Sequence, residues 1–96
     1  MPHSDLQQKL DNLPKKPGVY QFKDKAGKII YIGKAKVLRN RVRSYFQKGR
    51  FEGPKLASLV KRIRDVEIIV TDSEIEALIL EMNLVKEYKP RYNINL

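Results

Sequence analysis

The chain has 96 residues, no Cys and one His, and its 20 Lys+Arg against 11 Asp+Glu leave a net charge of +9. Those counts exclude a zinc ribbon, a Cys–His nucleophile pair and a disulfide framework. With the only His at position 3, near a terminus prone to fray, they also leave no basis for a Ser–His–Asp triad or a His-ligated metal.

What remains is a single small domain over residues 1–96, globular in composition, with a polyanionic partner, most simply nucleic acid. No apolar run approaches the ~20 residues of a membrane span. The N-terminus lacks a secretory pattern, which together with the absent cysteines points to the cytoplasm.

Ser4-Asp-Leu-Gln7 reads as a capping box, and Leu6, Leu10 and Leu13 recur at helical spacing until Pro14 and Pro17 stop the helix. Gly18–Lys23 and Lys28–Gly33 read as strands joined by the turn Asp24–Gly27, hence a hairpin. Val37–Phe46 reads as a helix with Leu38, Val42, Tyr45 and Phe46 on its apolar side. Gln47–Pro54 is a loop, and Lys55–Arg64 a further helix. Val66–Thr71 is a Val/Ile-rich strand. Ser73-Glu-Ile-Glu76 is a second capping box, opening a long helix that ends by Lys89, before Pro90. The order α-β-β-α-α-β-α predicts an α/β domain: a small three-stranded, mainly antiparallel sheet flanked by helices.

Two motifs fail on inspection. Gly27 to Lys34 has the outline of a phosphate-binding P-loop, but its spacing is one residue too long and Ala35 stands where Ser or Thr must hold the metal. Glu87-Tyr88-Lys89 has the spacing of a restriction-type nuclease core, but no Pro-Asp pair supplies the upstream ligand. The scattered aspartates do not make a two-metal cluster.

Three features sit oddly in a plain domain. On the long helix, at ~100° per residue, Glu81 has Glu74, Ala77, Leu78, Leu84, Val85 and Tyr88 around it, with Glu76, Asn83, Lys86 and Glu87 opposite. A carboxylate on the apolar side is either paired with an Arg or Lys at the edge of the core, or is a metal ligand or acid/base. In the hairpin, a four-residue turn pairs Lys23 with Lys28 and sets Tyr20 opposite Tyr31 and Phe22 opposite Ile29, all four on one face. Such tyrosines are packing aromatics unless their hydroxyls face a cleft. Arg41 lies beside the stripe Leu38, Val42, Tyr45, as a snorkelling side chain or a functional one. Lys36, Arg39 and Arg43 form a solvated edge suited to phosphates.

These features fall within a longer pattern. Gly18-Val19-Tyr20 and Tyr31-Ile32-Gly33 resemble the motif of the GIY-YIG nucleases, with Val19 for the family's Ile. Tyr31-Ile-Gly-Lys-Ala-Lys36, Leu38-Arg-Asn-Arg-Val-Arg-Ser-Tyr-Phe46, Glu76-Ala-Leu-Ile-Leu-Glu-Met-Asn-Leu-Val-Lys86 and Lys89-Pro-Arg-Tyr-Asn93 resemble the N-terminal domains of the UvrC group, incision subunits of bacterial nucleotide excision repair. The resemblance spans about Leu13 to Leu96.

It implies an endonuclease cutting one DNA strand on the 3′ side of a lesion, with one Mg²⁺ or Mn²⁺ on Glu81. It places Tyr20, Tyr31, Gly33, Lys34, Arg41, Tyr45 and Asn93 in the site. It implies damaged duplex DNA as substrate and UvrB as partner, through segments with no counterpart here, so that the chain is a domain excised from a longer protein and monomeric.

On that footing the expected chemistry is a one-metal in-line attack. Arg41 neutralises the phosphorus centre. Tyr31 is the base, its pKa lowered by Lys34 and the metal, since a phenol of pKa ~10 is only about 0.1% ionised at pH 7. Tyr20 donates to that phenolate or to the water, and Tyr45 orients the phosphate. Gly33 lets the DNA backbone approach, and Asn93 ties the tail to the site.

The competing readings are another GIY-YIG nuclease, a homing or structure-specific enzyme with the same site, and a non-catalytic DNA-binding module. An RNA-binding domain lacks the sheet aromatics and glycine loop of the common modules.

Overall fold

A strand buried on both faces organises the molecule. In the computed structural model, which describes residues 4–47 and 53–94, β1 (Gly18–Lys23) lies between β2 (Ile29–Ala35) and β3 (Asp65–Val70). All three strands are antiparallel, in the order β2-β1-β3. Side chains alternate across a strand. Tyr20 and Phe22 therefore face one way, into a core with Leu6, Leu10, Leu38, Val42, Leu59 and Ile63. These come from α1 (Ser4–Asp11), α2 (Leu38–Ser44), α3 (Pro54–Arg62) and the residue after it. Val19 faces the other way and packs with Ile32 against Ala77, Leu80, Leu84 and Val85 of α4 (Glu74–Tyr88).

The expected element order is present, with one addition. A short helix, α5 (Arg91–Ile94), follows buried Pro90, where the sequence reading places no element. The Ser4 side chain, His3 and the loop residues 48–52 lie outside what is described, so the first capping box is not. The second is altered. Ser73 Oγ accepts from the Glu76 amide at 3.1 Å, but Glu76 returns its carboxylate to the Asp72 amide, 3.2 Å away, one residue before the cap. At the other end Lys89 turns left-handed (φ 44°) and donates its amide to the Val85 carbonyl, so α4 stops before Pro90 as expected.

The hairpin corrects the expected register. The turn is as anticipated: Asp24 Oδ1 accepts from the Ala26 and Lys28 amides at 2.9 and 3.0 Å, and Gly27 takes a φ of 83° that glycine tolerates. However, the Asp24 amide closes the turn on the Lys28 carbonyl, so Lys23 pairs with Ile29 rather than Lys28. A bulge at Phe22/Lys23 then inserts one further residue into β2. Phe22 faces Tyr31 and Tyr20 faces Gly33, displaced by two from the expected pairing. An even displacement preserves the face, so Tyr20, Phe22 and Tyr31 still share one side. The bulge also sends Ile30 into the larger core and leaves Ile29 with the smaller.

α4 is apolar on more than its sheet face. Ile75, Leu78, Ile79 and Met82 are exposed, Ile75 at 72%, so Leu78 lies in solvent rather than beside the core. No described helix is long and apolar enough to cross a membrane.

Candidate active site

β1, β2 and α2 bring three tyrosines together. The ring centroids of Tyr20 and Tyr45 are 5.7 Å apart, those of Tyr20 and Tyr31 6.2 Å, and those of Tyr31 and Tyr45 6.3 Å. Phe22 supports the group edge-on to Tyr45 at 4.9 Å. Tyr20 is 1% exposed and its hydroxyl lies 2.7 Å from that of Tyr45. Tyr45 in turn shares a hydrogen bond with Tyr31. Tyr31 is the half-buried member of the three and the one that solvent reaches.

Gly33 makes the space for this network. A Cβ there would lie 2.3 Å from the Tyr20 hydroxyl oxygen and 2.4 Å from Cζ. The phenol occupies the room that the sequence reading assigned to a DNA backbone.

Charges bracket the tyrosines. Arg41, exposed on α2, acts on the Tyr20 hydroxyl through charge and a side-chain hydrogen bond. Burial raises the Tyr20 pKa to about 12, while the Tyr45 hydrogen bond and Arg41 pull it down. Burial also drives the Tyr31 phenol well above its ordinary value, with further upward pushes from Tyr45 and from the Glu81 carboxylate. Tyr45 is raised by burial in the same way. The free domain therefore holds Tyr31 protonated at neutral pH, and the expected lowering would have to come from Lys34 and the metal.

Lys34 does not supply that lowering. It follows Gly33 on β2 and so projects from the opposite side of the strand. Its Nζ lies 3.5 Å from Oε2 of Glu74 on α4.

Glu81 is half-buried and forms no hydrogen bond or ion pair with another described residue. Among the described residues, no Arg or Lys at the edge of the core satisfies it. A carboxylate with no ion-pair partner among the described residues suits a hard cation. One carboxylate suffices for Mg²⁺, which keeps several of its waters. Among the described residues no three His, Asp or Glu side chains converge, so a multi-carboxylate cage is absent there.

The other expected site residues divide. Asn93 on α5 reads the outer edge of β2: its Oδ1 accepts from the Ile32 amide and its Nδ2 donates to the Ile32 carbonyl, both at 2.8 Å. An edge strand turns alternate peptide groups outward, and Asn93 completes the pairing as a strand would. It ties the tail to β2, one residue from Tyr31 and from Gly33. Arg39 and Arg43 are committed elsewhere. Arg39 Nε donates to the Leu13 carbonyl at 2.7 Å, and Arg43 donates to those of Leu10 and Asp11 at 2.9 and 3.2 Å. They satisfy carbonyls at and just past the C-terminus of α1, where positive charge is favoured. Lys36 is exposed. Sequence reasoning set Glu74 beside Glu81 on the helix but gave it no part in the site, because its contact with Lys34 on β2 depends on how α4 packs on the sheet.

Comparison with known proteins fits this geometry. The family model for the UvrC-like GIY-YIG domain matches residues 16–94. UvrABC system protein C of Clostridium botulinum is 60% identical over 92 residues, covering 96% of this chain and 15% of the relative. Its counterpart in Clostridium kluyveri is 58% identical over 92 residues. The chain thus spans 15% of the length of the curated relatives it matches. The crystal structure of the GIY-YIG N-terminal endonuclease domain of UvrC from Thermotoga maritima, bound to its catalytic magnesium, superposes with a TM-score of 0.81 at 43% identity, covering 94% of this chain and 97% of that one. Variants of that domain with single Tyr-to-Phe replacements also hold the divalent cation and match with a TM-score of 0.81. By motif, register and fold, this chain belongs to the UvrC-like GIY-YIG domain family.

Proposed function

We propose that this domain is a divalent-metal-dependent endonuclease that cuts one strand of duplex DNA on the 3′ side of a lesion in nucleotide excision repair. The observation that carries the reading is the half-buried Glu81 carboxylate, without an ion-pair partner among the described residues, acting on the half-exposed Tyr31, with Arg41 across the tyrosine network. A non-catalytic DNA-binding module has no use for an unpaired carboxylate beside a basic binding face, because it repels phosphate.

Glu81 would hold Mg²⁺ or Mn²⁺, which when bound supplies positive charge to the phosphate and the departing oxygen. Arg41 offers paired N–H donors to the same phosphate. Tyr31 is the least buried of the three tyrosines and is the proposed base for the attacking water. Neutralising Glu81 removes one of the influences that keep its proton on. Tyr45 and Tyr20 fix the orientation of Tyr31 and Arg41 through their hydroxyls. Gly33 and Asn93 are positioning residues, one for the Tyr20 ring and one for β2. Lys34 and Lys36 contact neighbouring phosphates, and Arg39 and Arg43 anchor the helix that carries Arg41. The domain acts as a cytoplasmic monomer. Partner proteins recognise the lesion, with UvrB the partner that delivers it.

Mn²⁺ titration followed by amide NMR tests the site without any partner. Broadening should centre on Glu81, Tyr31 and Arg41 and vanish in Glu81→Gln. The same variant should lose at least about 100-fold in incision of a lesion-bearing duplex, with partner proteins supplied, yet bind DNA as well as the parent. Equal loss of binding and cutting would overturn the role of Glu81.

A further inference from the structure

We propose that the cleft beside the tyrosine network is a second phosphate-binding subsite, and that Glu74 occupies its lysine until a DNA strand arrives. This rests on the nuclease reading and adds to it the place where the uncut part of the strand is held.

The cleft has a volume of about 360 Å³, and beside Ala35 and Val37 its polar lining is Lys34, Lys36, Asn40, Arg41, Ser44 and Glu74. Three of these six are cations, and Asn40 adds an exposed amide. The Ser44 hydroxyl is already spent, donating to the Arg41 carbonyl at 2.6 Å. The remaining groups are mostly donors, so the complementary ligand is an anion rich in acceptor oxygens. A backbone phosphate has that chemistry. Arg41 lines the cleft and also acts on the Tyr20 hydroxyl, so the cleft adjoins the tyrosine network.

The ligand is a neighbouring phosphate and not the one being cut. Glu74 and Glu81 lie seven residues apart on one face of α4, or about 10.5 Å along its axis at a rise of about 1.5 Å per residue. Two metals acting on one phosphate sit only ~3.5–4 Å apart. Glu74 is therefore not a second ligand to the Glu81 cation.

Among the described residues Glu74 is the only carboxylate lining the cleft, and it sits 3.5 Å from Lys34. The side chains of that pair are 35% and 49% exposed. Such an ion pair is weak and exchanges readily. It holds Lys34 at the cleft in place of a phosphate oxygen. When the strand enters, Lys34, Lys36 and the Asn40 amide donate to the phosphate, and Glu74 turns to water.

Binding of a short DNA duplex, followed by fluorescence anisotropy in EDTA over a series of salt concentrations, tests this apart from metal and cutting. Lys36→Ala should lower the slope of log affinity against log salt by about 1. Asn40→Ala should weaken binding while leaving that slope unchanged, because the amide carries no charge. Glu74→Gln should tighten binding about 2- to 5-fold. Glu87→Gln makes the same change in net charge at an exposed position outside the cleft, and should alter affinity much less. Equal effects of Glu74→Gln and Glu87→Gln would overturn the inference and leave the nuclease reading intact, as would an unchanged slope in Lys36→Ala. Failure of the unaltered domain to bind duplex at all would overturn both.

Discussion

The hydroxyls of Tyr20 and Tyr45 lie 2.7 Å apart in a site where both side chains are buried. Strand β1 and helix α2 meet through that bond, and Arg41 reaches the same Tyr20 hydroxyl from one turn before Tyr45. The bond thus links the aromatic sheet to the helix that presents the guanidinium. Tyr45→Phe leaves the Tyr20 hydroxyl short of a buried partner and should cost about 1–3 kcal/mol in denaturant unfolding. Tyr20→Phe should cost a similar amount, and the double variant less than the sum, because the second change removes the group the first left unsatisfied. Strict additivity would mean that the two hydroxyls do not act as a pair.

Arg39 and Arg43 should separate from Lys36 on substitution. Both arginines spend donors on carbonyls at and just past the end of α1. Arg39→Ala and Arg43→Ala should each lower stability by about 1–2 kcal/mol and change duplex affinity less than Lys36→Ala does. Thermal unfolding and anisotropy on the same samples decide it. Unchanged stability with a large loss of affinity would return both residues to the DNA-binding edge.

Gly33→Ala should damage the site without touching a charged group. The new Cβ would lie 2.3 and 2.4 Å from the Tyr20 hydroxyl oxygen and Cζ. The ring is packed between Phe22 and Tyr45 at 5.2 and 5.7 Å, so it has little room to retreat. Overpacking of this kind costs about 1–3 kcal/mol. Tyr20→Phe should rescue it only in part, because the Cζ contact persists. Wild-type stability and incision in Gly33→Ala would show that the ring yields freely.

Much of this was legible in the sequence for a physical reason. Alternation put Tyr20, Phe22 and Tyr31 on one face, and an even displacement of register left that face intact. The pairing itself was not legible, because the bulge at Phe22/Lys23 depends on how the Asp24 turn closes. The apolar-side position of Glu81 followed from the helical period, but its lack of a counter-ion depends on what packs nearby. Arg39 and Arg43 were misread for the same kind of reason. Their partners are carbonyls at and just past the end of α1, 26 and 33 residues away in sequence, and spacing within α2 says nothing of them. α5 is four residues long, held by Asn93 and the Tyr92 hydroxyl 2.8 Å from that of Ser58, and too short to show a period.

The buried tyrosines set the alkaline limit of the fold. Tyr20 has its pKa raised from 10.0 to about 12, chiefly by burial, and Tyr31 and Tyr45 are raised further by the same cause. Above pH 10 the unfolded chain releases these protons while the folded one keeps them. The unfolded state then binds fewer protons, so stability falls as pH rises. The contribution is fully present below about pH 10 and is lost as pH rises through the folded values. For Tyr20 the rise from 10.0 to about 12 is worth on the order of 3 kcal/mol. Tyr92, whose pKa is lowered with help from its Ser58 hydrogen bond and from Arg62, should ionise early. Phenolate absorbance should therefore rise in two stages, the second coinciding with loss of near-UV dichroism. Tyr20→Phe should flatten the fall in stability between pH 10 and 12. A single stage at the ordinary tyrosine pKa, with the fold intact beyond it, would show that water reaches all three hydroxyls.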